Sequence, residues 1–191
     1  RGNHLITASL APHAPYTVSN KTFESILLYA DQLDMTIHTH LHETIDEINQ
    51  SIQSFAVRPL ERLFNLGLVG ENLTIAHAGH CTKSEMELLA THGVHIAHCP
   101  TSNLKLGSGI APVPEMLAHN LNIGLGTDGV ASNNRLDIFA EMRLAALLAK
   151  GTTQDAAIVP AEQALEMATI NAAKALGLSE SIGSIVVGKQ A

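Results

Sequence analysis

Five short apolar runs, each followed by a helical pattern, constrain this chain more than any other feature. LITASL (5–10), MTIHTH (35–40), LTIAH (73–77), VHIAH (94–98) and NIGLGT (122–127) read as strands. Residues 19–34 read as a helix begun by Ser19 as N-cap. Thr44 and Glu47 make a T-x-x-E capping box that opens a helix to about Ser54, and Thr82 and Glu85 make a second one for KSEMELLATH. Pro59 suits the first turn of a short helix with Gly67 near its end, and further helices are expected near PEMLAH, over 137–149 and over 160–175. Strands alternating with helices imply an α/β fold whose sheet is parallel. Near-continuous apolar strands fit a sheet covered on both faces. Two architectures satisfy this pattern, an open doubly wound sheet and part of a (β/α)8 barrel, and composition does not separate them.

Composition narrows the partners. A formal charge of −7, no Trp and 3% aromatic residues argue against nucleic acid, which takes a basic face and stacking rings. No apolar run approaches the roughly 20 residues of a membrane span, and RGNHLITASL lacks the features of a secretory signal. Two cysteines, Cys81 and Cys99, form no CxxC and suggest no disulfide framework, so a cytoplasmic setting is expected.

Eleven histidines are the unusual count. Nearly every expected strand runs into a group able to do chemistry: His13 after the first, His40 and Glu43 after the second, then His77, His98 and Asp128. The carboxyl ends of parallel strands share one rim, where sites assemble. Histidine and aspartate suit a divalent metal, and a further carboxylate can move protons. In MTIHTHLHET the three histidines His38, His40 and His42 occupy alternate positions, so an extended chain would point all three the same way. The residues by themselves do not say which of them belongs to a site.

The wording of these motifs resembles the amidohydrolase superfamily of metal-dependent (β/α)8-barrel enzymes. Within it the chain is most similar to the 5-methylthioadenosine/S-adenosylhomocysteine deaminase family. The resemblance rests on APHAPYTVS (11–19), HLHET (40–44), AHAGHCT (76–82), HCPTSNLKLGSGIAPV (98–113), GLGTDGVASNN (124–134) and IFAEMRLAALLAK (138–150). It implies a partial TIM-like barrel, equivalent to strands four to eight, over residues 1–181. Residues 182–191 would begin a return into a small β-domain, with GSIVVGKQA starting a hairpin. The resemblance makes His40 and Asp128 metal ligands and Glu43 the proton shuttle and a substrate contact. It gives Asp128 a part in the chemistry too, has His77 orient or polarise the attacking water, and has His13 contact the substrate. His38 is assigned to packing, His42 to the pocket lining and His98 to structure. His80 carries the weakest case. The implied cofactor is one divalent ion per subunit, zinc before ferrous iron, and the implied partner is a small nucleoside, within a homo-oligomer.

The implied reaction converts 5′-methylthioadenosine or S-adenosylhomocysteine to the inosine analogue and ammonia. The other zinc deaminase design, H-x-E with P-C-x-x-C, is absent. The family's first-strand His-x-His dyad has no counterpart before His13, so the chain reads as an internal piece of a longer protein, inactive alone. Guanine or 8-oxoguanine deamination and triazine hydrolysis share the same machinery and remain alternatives. A non-catalytic binding module would be expected to lose Glu43, which is present. A nucleotide-binding sheet would use KLGSG (105–109), which fits neither phosphate-loop spacing.

Overall fold

The computed structural model describes residues 6–190. Strands β1 (Ile37–Leu41), β2 (Leu73–His77), β3 (His95–His98) and β4 (Asn122–Leu125) form one parallel sheet in the spatial order β1-β2-β3-β4. Spatial order equal to chain order, with no reversal, is the arrangement of a barrel wall; a doubly wound sheet reverses about a switch point. The sheet is therefore part of a (β/α)8 barrel.

The register sorts the side chains into two faces. His38, His40, Thr74, Ala76, His95, Ala97, Asn122 and Gly124 pair across the sheet on one face, the inner one. Ile37, Leu41, Leu73, Ile75, Ile96 and Ile123 lie on the other and are fully buried. There they join Phe23 of α1 (Asn20–Leu33), Leu60 and Leu63 of α3 (Pro59–Asn65), Leu89 of α4 (Lys83–Thr91) and Met116 of α6 (Val113–Ala118) in one core. The remaining helices are α2 (Ile45–Phe55), α5 (Pro100–Leu106), α7 (Val130–Asn133), α8 (Ile138–Thr153), α9 (Ala161–Ala168) and α10 (Ile170–Ala175).

Local rules account for most helix starts. Ser19 accepts from the Thr22 amide to cap α1, and Thr82 with Glu85 forms a complete capping box on α4. At α2 only half of the expected box forms. Thr44 accepts from the Glu47 amide, but the Glu47 carboxylate reaches back one residue further, to the Glu43 amide at 2.9 Å.

Three expectations are corrected. The strand expected at 5–10, of which residue 5 lies outside the described residues, is a single bridge between Leu10 and Ile37. The Leu10 amide donates to Thr36, and the Leu10 carbonyl accepts from His38. The next donor in a parallel ladder would be Pro12, which has no N–H, so the regular ladder is interrupted, and one further backbone bond, from the His40 amide to the His13 carbonyl, ties the segment to β1. The stretch after His98, where no helix is expected from the sequence, forms α5, with Pro100 at its first position and Gly107 at φ 71° closing it. The helix expected over 160–175 breaks at Thr169, whose φ of −128° and ψ of −93° redirect the chain into α10. Residues 182–190 form turns with no strand.

That break places α10 against the inner face of the sheet. Asn122 Nδ2 donates to the Asn171 carbonyl at 2.9 Å, and Thr74 Oγ1 donates to that of Ala175 at 3.2 Å. A Cβ built on Gly124 would lie 3.0 Å from the Ala172 Cα, so this close approach requires glycine there. The helix makes a floor beneath the starting residues of β2 and β4.

Candidate active site

Strand ends in this fold must turn sharply to bring side chains onto the rim. Left-handed backbone at non-glycine residues marks three of the turns: His42 after β1 (φ 54°), His77 and Ala78 at the end of β2 (φ 73° and 51°) and Asp128 after β4 (φ 59°). Such residues are uncommon, cost on the order of 1 kcal/mol or more each, and cluster at functional sites.

His40 sits on the inner face of β1. Its Nδ1–H donates to the His13 carbonyl at 2.6 Å, which leaves Nε2 with a free lone pair. Its ring stacks on that of His77 at 5.3 Å between centroids and 17° between planes, and lies 5.0 Å from the ring of His13. His77 is in register with Leu41, so simple alternation would send it to the outer face. Its left-handed φ turns it toward His40 instead. His77 is fully buried, with Nδ1 bonded to Asn103 Oδ1 at 2.7 Å. Its Nε2 has no hydrogen-bond partner and lies 3.8 Å from Glu43 Oε2. Glu43 Oε1 accepts from Ser108 Oγ at 3.2 Å.

Asp128 accepts from Ser102 Oγ at 2.6 Å through Oδ2 and from the Gly129 amide at 2.7 Å through Oδ1. Partial burial pushes its carboxyl up, but hydrogen bonds from Ser102, the Gly129 amide and Ser132 outweigh this and hold it below the usual range. Ser102 and Asn103 are consecutive on α5, so the groups they hold, Asp128 and His77, are brought together. His13 is exposed, bonded through Nδ1 to Thr17 Oγ1 at 2.9 Å and edge-on to Tyr16.

A hollow of about 270 Å³ lined by His13, His38, His40 and Ala76 opens beside this group, with Glu43, His77 and Asp128 outside its lining. A larger one of about 370 Å³, between Tyr16, Glu47, Phe55 and Arg62, contains none of the five sequence-derived site residues. Chemistry rather than size selects the first.

The remaining histidines divide clearly. His38 is half-buried on the inner face, and burial, with the neighbouring His40 and His77, lowers its pKa. It lines the hollow rather than packing in the core, as the sequence had suggested. His42, expected in the pocket, is buried behind the strand end: its Nε2 accepts from the Leu60 amide at 3.3 Å, and burial pushes its pKa down to about 4. The strand stops at Leu41, so alternation no longer governs residue 42. His98 is fully buried at the end of β3 with Nδ1 unpartnered. His80 donates through Nε2 to the Ser108 carbonyl at 2.8 Å.

Sequence reasoning missed Ser102, Asn103 and Ser108. The one available signal was the TSNLKLGSG wording itself, whose small polar residues carry no period.

The donor chemistry fits a divalent ion at His40 and Asp128: an imidazole whose Nδ1 is tied down so that Nε2 is free, and a carboxyl held below its usual range, with the unpartnered Nε2 of His77 on the ring stacked against His40. Among the described residues no three such groups stand close enough to form a complete site.

A model of the Amidohydrolase family matches residues 1–191. The chain is 48% identical over its whole length to a 5-methylthioadenosine/S-adenosylhomocysteine deaminase of Teredinibacter turnerae, covering 43% of that protein. It is 43% identical over 99% of its length to a 5′-deoxyadenosine deaminase of Methanococcus vannielii, covering 44% of it. Among solved structures, an adenosine deaminase from Xanthomonas campestris with bound zinc superposes with a TM-score of 0.97 at 48% identity, over all of this chain and 44% of that one. The chain thus spans less than half the length of the relatives it matches.

Proposed function

Because the chain belongs to the amidohydrolase family, we propose that the protein it represents hydrolytically deaminates 5′-methylthioadenosine or S-adenosylhomocysteine, giving the inosine analogue and ammonia. The observation that carries the proposal is the pairing of Glu43 with the unpartnered Nε2 of buried His77, beside a His40 whose Nε2 is also free. The deaminase relatives at 43–48% identity support the substrate class.

In this reading His40 and Asp128 hold a divalent ion, zinc, with its further ligands supplied from outside these 191 residues. When bound, such an ion acts as a Lewis acid that lowers the pKa of water from about 15.7 toward 7. Glu43, with Oε2 uncommitted, delivers a proton to the ring nitrogen beside the amine-bearing carbon. His77 accepts a hydrogen bond from the attacking water through Nε2, and Asp128 takes the water proton toward the departing amine. Water adds its oxygen to the carbon and gives up both protons, one through Asp128 to the amine and the other to Glu43 in place of the one it delivered; the C–N bond breaks and ammonia leaves. His13, exposed beside His40, contacts the nucleoside. A cytoplasmic homo-oligomer completes the proposal; among the described residues no helix is long and apolar enough to cross a membrane.

Ammonia release from the whole protein tests the substrate. The panel is 5′-methylthioadenosine, S-adenosylhomocysteine, 5′-deoxyadenosine, guanine, 8-oxoguanine and a chlorotriazine. The thio-nucleosides should turn over fastest, and His13→Ala should lower kcat/KM for them with metal content unchanged. Preference for guanine or the triazine, with thio-nucleosides inert, overturns the substrate assignment.

A further inference from the structure

We propose that Ser102–Ser108 is a positioning bracket for the site, and that Asn103 is the residue in it that fixes which nitrogen of His77 faces the reaction; this rests on the catalytic role given to His77 above. Within seven residues, three side chains each hold a different reactive group: Ser102 donates to Asp128, Asn103 accepts from His77, and Ser108 donates to Glu43. All three are buried. A segment that merely closed a loop would spend its buried polar groups on backbone or on one another. Here each is spent on a reactive side chain, leaving His77 Nε2 and Glu43 Oε2 uncommitted.

The bracket is itself anchored at both ends. Glu141 of α8, 1% exposed, accepts from the Thr101 amide at 3.0 Å and from Asn133 Nδ2 at 2.8 Å. The same Asn133 nitrogen donates to the Thr127 carbonyl at 2.7 Å, one residue before Asp128. Both contacts of Asn133 are acceptors, which fixes the orientation of its amide. At the other end His80 donates to the Ser108 carbonyl, and the Ser108 amide donates to that of Asn103.

The chemical consequence falls on His77. An amide oxygen only accepts, so Asn103 Oδ1 requires the proton on His77 Nδ1 and leaves the lone pair on Nε2. Without it, the imidazole in its singly protonated form is free to carry its proton on Nε2, where it would donate to water rather than accept from it.

The test is the tautomer of His77, read from ¹⁵N ring shifts in the metal-free whole protein and assigned by the signal lost in His77→Gln. Wild type should show the Nδ1–H form. Asn103→Ala should shift His77 toward Nε2–H and lower kcat on the order of 10- to 100-fold, with KM within a few-fold. Asn103→Asp, which keeps the acceptor oxygen, should retain the Nδ1–H form. An Nε2–H tautomer in wild type overturns the proposal, and that measurement stands even where Asn103→Ala does not fold. So does an Asn103→Ala variant whose tautomer is unchanged. A tautomer that responds as expected in a protein inert toward every nucleoside tested would sink the deaminase reading and leave the bracket standing.

Discussion

Glu43 is held by one carboxylate oxygen and free at the other. Replacing it with glutamine keeps an oxygen able to accept from Ser108 and removes the transferable proton. Glu43→Gln should therefore lower kcat by on the order of 10² to 10⁴ while metal content stays at the wild-type level. Activity within a few-fold of wild type would take Glu43 out of the chemistry. The sequence made this residue visible because the His40–Glu43 spacing belongs to a local motif at a strand end. Asn103 and Ser108 were not visible, because their partners are 26 and 65 residues away and meet them only once the sheet has formed. His42 misled for the opposite reason. Its place in an alternating run is local, but the left-handed turn that buries it is set by what lies beyond Leu41.

At the scale of elements, His42 joins three of them. It accepts from the first turn of α3 and lies 3.7 Å from Glu85, which completes the capping box of α4 and receives two hydrogen bonds from Arg58 at the start of α3. Burial is the main cause of its depressed pKa, and the Glu85 carboxylate offsets it only in part. With a folded value near 4 against about 6.5 in the unfolded chain, the unfolded state binds more protons between these limits. The stabilisation from a neutral His42 is complete above pH 6.5 and is lost as pH falls toward 4, on the order of 3 kcal/mol in all. Denaturation midpoints at pH 7 and 4.5 should show a clear acid loss in wild type and a smaller one in His42→Gln, which cannot titrate. An equal loss in both would mean that His42 is not the group responsible; buried His98, also lowered to about 4, leaves a residual slope in either case. The helix starts at Ser19 and Thr82 were legible because a cap is a contact over three residues. The break at Thr169 was not, since nothing local distinguishes it from the helical pattern on either side.

Over the whole molecule the parallel α/β class could be read from alternation, while the choice of a barrel over an open sheet came from the motif resemblance and not from periodicity, because strand order is a long-range property. Among the described residues, β1 has on its open side only the Leu10 bridge and a backbone bond from His40 to His13, and β4 has no strand beyond it. Unpaired edges of this kind are templates for association. Residues 1–191 produced alone should be inactive and should form oligomers or aggregates in light scattering; a monomer with normal turnover would refute this. The floor laid by α10 under β2 and β4 bears on traffic. With the starting residues of these strands covered, a barrel closed by further strands would exchange whatever the hollow binds through the rim, so departing molecules would use the doorway that admits arriving ones. Such a one-mouthed vessel makes escape a kinetic step in its own right, and a slow-leaving product would compete with the next ligand for the same entrance.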